Sequence, residues 1–85
     1  MNTYRNFKSY EELCESLLYG ADIEFEYNNK KYSITPIENG VSILEQYNYS
    51  TEIIYNNIND VGNYIIANKY LKDIIGDIKI LFRTI

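Results

Sequence analysis

Between Asp22 and Thr35 the chain alternates so regularly that it specifies its own pairing. Ile23, Phe25 and Tyr27 fall between Asp22, Glu24 and Glu26, the period-two pattern of a strand with one face buried. Asn28-Asn29 follows, and Asn tolerates the positive φ that both central positions of a tight hairpin turn require. A two-residue turn there sets Glu26 opposite Lys31, Phe25 opposite Tyr32 and Ile23 opposite Ile34. Opposite charges then meet on one face and apolar side chains on the other. A slip of one residue would turn every apolar side chain into water. Pro36 ends or edges the second strand, because it brings no N–H to the ladder.

The flanking segments are read from the same two periodicities. A helix is predicted from about Ser9 to Tyr19, opened by the capping box Ser9/Glu12 and closed by Gly20. Its apolar stripe is Tyr10, Leu13, Cys14, Leu17 and Leu18, with Glu11, Glu12 and Glu15 off the stripe. Asn39-Gly40 is a second turn, leading into a strand from Val41 to Tyr47, and Glu52 to Tyr55 is a short fourth strand. A short helix is expected to start near Asn57 or Asn59. In the last segment Leu71, Ile74, Ile75, Ile78, Leu81, Phe82 and Ile85 form one helical stripe, which favours a helix from about Tyr70. Ile78, Ile80 and Phe82 also fit a strand after Gly76-Asp77, so residues 77–85 stay open between the two. The expected architecture is one α+β domain over residues 1–85: an N-terminal helix, a small antiparallel sheet of three or four strands, and one or two C-terminal helices on one face.

Composition narrows the function classes. The 85 residues carry 8 basic and 12 acidic side chains, a net charge of −4, which disfavours direct binding of nucleic acid and suits a basic protein surface. Absence of histidine removes imidazole acid–base chemistry, His-dependent triads and His-containing zinc sites. A single cysteine, Cys14, allows no internal disulfide and no Cys-only metal site, and its place on the helix stripe reads as a small buried hydrophobe. The four glycines build no phosphate loop, and Asn57-Ile58-Asn59-Asp60-Val61-Gly62 lacks the ligands of a calcium loop. No catalytic residue, cofactor or metal is therefore expected. Without an apolar leader or an apolar run of about 18 residues, the expected location is the cytoplasm of a bacterial host, with no membrane contact.

Ile23-Glu24-Phe25-Glu26-Tyr27, continued by Lys31-Tyr32-Ser33-Ile34-Thr35, resembles a hairpin found in small uncharacterised proteins of Firmicutes phages and mobile elements. Ile66-Ala67-Asn68-Lys69-Tyr70-Leu71-Lys72-Asp73-Ile74 is similar to the ending those proteins carry. The likeness covers about residues 9–75. It departs where Asn29 and Asn68 replace glycines, at positions where Asn still supplies a left-handed turn. These motifs are structural, so the resemblance implies a fold and a genomic setting and carries no assigned chemistry.

The candidate site is a surface. Glu11, Glu12 and Glu15 on the helix and Asp22, Glu24 and Glu26 on the strand are expected to make one acidic, partner-binding face edged by Tyr19, Tyr47 and Tyr49. The bland alternative is an ordinary solvated surface on an acidic protein. The function expected from these features is that of a non-enzymatic binding protein, an inhibitor of a host defence factor in the manner of an anti-CRISPR, covering a basic nucleic-acid channel. Two other readings remain open: a structural protein that self-associates, as a homodimer, through a spare strand edge or a tyrosine-rich sheet face, and a nucleotide or small-ligand binder whose tyrosines stack on the ligand in a pocket between subunits.

Overall fold

The computed structural model of the chain describes residues 4–84. Helix α1 (Tyr10–Leu18) is capped by Ser9, whose Oγ accepts the N–H of Glu12, and the chain leaves it through Gly20 at φ +89°. Four strands follow as a meander: β1 (Ile23–Tyr27), β2 (Lys30–Ile37), β3 (Gly40–Glu45) and β4 (Asn48–Tyr55). Asn28 and Asn29, at φ 54° and 64°, form the β1–β2 turn, and Glu26–Lys31, Phe25–Tyr32 and Ile23–Ile34 pair as the alternation predicts. Pro36 lies inside β2, beyond its last β1 partner, where the strand has a neighbour on one side only.

The C-terminal half overturns the predicted architecture. In place of helices packed on a small sheet, it holds 3₁₀ turns at Ile58–Asn63, Leu71–Asp73 and Ile75–Asp77. Between the first two lies a minimal hairpin, β5 (Ile65–Ile66) with β6 (Lys69–Tyr70), and after the last comes strand β7 (Lys79–Arg83). Among the described residues the result is mostly sheet: five antiparallel strands in the order β4-β3-β2-β1-β7, with one α-helix. The reason is non-local. β1 has a second edge, and β7 pairs along it from Glu26–Lys79 to Ile23–Arg83, satisfying backbone groups that a helix would have satisfied within itself. Gly76-Asp77 breaks the helical stripe, and Ile78 and Ile80 bury their side chains while Lys79 stays exposed. Ile85, the last residue of that stripe, lies outside the described residues. The helix expected near Asn57 is the first 3₁₀ turn, capped by the Asn57 side chain. β4 is twice as long as its predicted core, with an irregularity where it passes Ile43 to Glu45.

One face of the sheet carries the core. Phe25, Ile23, Ile34 and Ile43 meet Leu13 and Leu17 of α1 there, closed in by Val61, Leu71 and Ile74. Phe25 stacks on Tyr32 with ring centroids 5.2 Å apart, and Tyr32 meets Tyr64 edge-on. Leu18, expected on the helix stripe, is instead exposed, and Ser16 is buried in its place. Tyr10 ties the helix to the first 3₁₀ turn: its hydroxyl donates to the Asn59 carbonyl and accepts the Gly62 N–H. A methyl on Gly62 would collide with that ring, so the weak helix former is a packing requirement here.

Glu12 is structural. Its carboxylate accepts the N–H of Lys8, and pairs with Arg5 at 3.2 Å and Arg83 at 3.7 Å. The Lys8 bond first, and the two guanidinium groups after it, hold the carboxyl below its ordinary range. A lowered native pKa stabilises the fold above the unfolded value and stops doing so as pH falls through the native one. The denaturation midpoint of Glu12→Gln should therefore lie below that of the natural protein at pH 7. The gap should close as both are acidified below about pH 4.

Candidate functional site

Alternation on β1 decides where the acidic residues go. Ile23 and Phe25 enter the core beneath α1, so Glu24 and Glu26 leave from the opposite, outer face of the sheet. Glu11 and Glu15 are on the helix side, where they line a shallow hollow with Tyr10, Cys14, Leu18 and Asn59. Burial pushes the Cys14 thiol up, away from the reactive thiolate. Tyr19 is exposed at the helix C-terminus, and Asp22 is exposed with its backbone bonded on both sides to Thr84. The single acidic face expected from the sequence is thus split by the thickness of the sheet, and Glu12 is withdrawn from it into ion pairs.

What the fold does bring together is Glu24, Tyr47 and Tyr49. The register sets Glu24 opposite Ser33 on β2 and Ser33 opposite Leu44 on β3, a row of outward side chains running across three strands. Gln46, just past the end of β3, donates its backbone N–H to the Lys31 carbonyl and its side-chain amide to Ser33 Oγ at 3.0 Å. Tyr47 turns the chain at φ 66°, which lifts its side chain clear of the sheet at 92% exposure. Tyr49, the second residue of β4, is likewise exposed. Glu24, Ser33, Leu44, Gln46, Tyr47 and Tyr49 together line an open recess of about 320 Å³.

The two strand carboxylates differ in their surroundings. Glu26 sits in register between Lys31 on β2 and Lys79 on β7, whose charges offset its own. Glu24 faces Ser33 and Phe82 instead, and among the described residues it forms no ion pair. Further out, Ile37 and Ile54 are exposed, and Glu52 folds back to accept a hydrogen bond from Ser42 Oγ at 2.5 Å.

Ser33, Leu44 and Gln46 are the recess residues that the sequence reading missed. A signal existed for two of them: a two-residue Glu38-Asn39 loop fixes Ile37 opposite Gly40 and hence Ser33 opposite Leu44. Leu44 also interrupts the polar side of the β3 alternation.

The sheet's two edges are unlike. Along β7 the Arg83 guanidinium donates to the Arg5 carbonyl, Tyr4 meets Phe82 edge-on, and Asn6 donates to the carbonyls of Ile75 and Ile78. β4 has β3 on one side only, so the spare edge required by a self-associating protein lies there. Among the described residues no three Asp, Glu or Cys side chains converge to hold a metal, and no helix is long and apolar enough to cross a membrane. Comparison with models of protein families, with curated proteins and with solved structures finds no match to this chain.

Proposed function

We propose that this chain is a non-enzymatic binding protein that sets the outer face of its sheet against a basic surface of another protein. The observation that carries the reading is Glu24: a carboxylate without an ion pair among the described residues, on the outer face of the sheet, lining one recess with two exposed tyrosines. Such a group attracts a cation, and exposed tyrosines supply contact area at low entropic cost. The net charge of −4 steers encounter with a positively charged partner. The resemblance to phage and mobile-element proteins supports a bacterial defence factor as that partner, met in the host cytoplasm. A nuclease that holds nucleic acid in a basic channel has the required surface, which this protein would occupy in place of phosphate.

The test is a partner captured from bacterial lysate, followed by affinity measurements on purified components. Glu24→Lys should weaken binding by about tenfold or more, and binding of the natural protein should fall as salt rises. Glu11→Lys, on the helix side, should bind within about twofold of the natural protein. Equal losses for the two reversals, or an affinity indifferent to both, would remove the outer face from the mechanism.

A further inference from the structure

We infer that the recess around Glu24 receives the guanidinium of an arginine side chain offered by the partner. This rests on the function proposed above and names the group that the face recognises. Acceptors dominate the lining. Glu24 brings two carboxylate oxygens, and the Gln46 side-chain carbonyl accepts no hydrogen bond among the described residues while its amide nitrogen donates to Ser33 Oγ. Tyr47 and Tyr49 add ring faces, which carry negative electrostatic potential. Among the described residues no ion pair answers Glu24: Lys31 and Lys79 stand opposite Glu26, two residues further along β1.

That inventory selects among ligands. An anion is repelled by Glu24. An apolar side chain would strip water from the carboxylate and return no hydrogen bond. An ammonium satisfies the charge but directs only three donors from one point. A guanidinium holds five N–H groups in a plane, so it reaches a carboxylate and a neighbouring amide oxygen together and still lies flat on an aromatic ring. The methylene stem of the arginine has an apolar floor in Leu44.

The experiment titrates the ¹⁵N-labelled protein with N-acetyl-arginine-N-methylamide, and in parallel with the lysine and citrulline analogues, following amide shifts. Citrulline keeps the shape and loses the charge. The arginine compound should shift the Gln46 side-chain amide and the backbone amides of Ser33 and Leu44, with a Kd of about 1 mM. It should bind roughly fivefold or more tightly than the lysine compound, and citrulline should leave the spectrum unchanged. Glu24→Gln should abolish the arginine shifts while keeping the dispersed spectrum of the fold. Equal binding of arginine and lysine overturns the inference, as do citrulline binding, shifts confined to α1, and undiminished arginine binding by Glu24→Gln. If these fail while Glu24→Lys still releases the captured partner, the arginine pocket is wrong and the proposed function stands. If arginine binds but no partner depends on Glu24, the reverse holds.

Discussion

Replacing Phe25 with alanine is expected to cost about 3–5 kcal/mol, the largest loss from any single truncation in this chain. Phe25 is fully buried at the middle of β1, stacked on Tyr32 and enclosed by the core that α1 closes. Its removal loses the transfer energy of an aromatic ring and leaves a cavity that paired strands on both sides prevent from collapsing. A domain of this length has roughly 4–13 kcal/mol of stability in all, so the variant gives up at least about a quarter of it. A urea titration checks it: the midpoint should fall steeply at an unchanged slope. Leu17→Ala, from the facing side of the same core, should lose about 2–5 kcal/mol, while exposed Glu11→Ala should change stability by less than about 0.5 kcal/mol.

The second large effect is expected at Gly40, where the added atom meets backbone. A methyl group there would overlap the Tyr55 carbonyl oxygen and crowd its carbon at 3.1 Å, and neither yields as a flexible side chain would. Gly40 pairs with Ile37 at the start of β3, and Tyr55 pairs with the next residue, Val41, so the overlap prises the end of β4 from β3. Gly40→Ala should cost about 2–3 kcal/mol, near the upper range for forced overpacking, and lower the melting temperature by roughly 10–20 °C. Gly76→Ala is the matched control, because a methyl there meets nothing within 4 Å. It should melt within a few degrees of the natural protein. Equal melting of the two variants would show that β3 and β4 do not approach as described. Hydrogen exchange should localise the damage: β4 amides should lose protection before those of β1 and β2.

The acidic face shows how far local pattern reaches. Alternation along β1 correctly sends Glu24 and Glu26 away from Phe25, and helical spacing sends Glu11 and Glu15 away from Leu13. Both statements concern directions within one element. Whether two outward directions coincide depends on which face of the sheet the helix covers, and α1 covers the face opposite the strand carboxylates. Glu12 shares the spacing of its neighbours on α1, yet Arg83, 71 positions away in the sequence, draws it into the fold. Glu24, Tyr47 and Tyr49 come from positions 24, 47 and 49 and meet only because three strands are stacked in register.

Taken alone, the amino-acid sequence determined the cap and stop of α1 and the first hairpin, whose partners lie within a turn of one another. Ser9 caps α1, Gly20 ends it, and Asn28-Asn29 turns β1 into β2 with Phe25 opposite Tyr32. In each case the deciding interaction closes a short loop, so local side-chain chemistry is enough to choose it. Tertiary structure alone decided the fate of residues 70–84. Their apolar spacing favours a helix from about Tyr70, with only residues 77–85 open to a strand, and a helix would have been self-sufficient in backbone hydrogen bonds. What tipped the balance is the open edge of β1, more than fifty residues earlier in the chain, which rewards an extended Lys79–Arg83 with a ladder and a place over the core for Ile80. Such a pairing is worth its closure entropy only once β1, β2 and α1 already stand, and hydrophobic periodicity within the last segment holds no record of them.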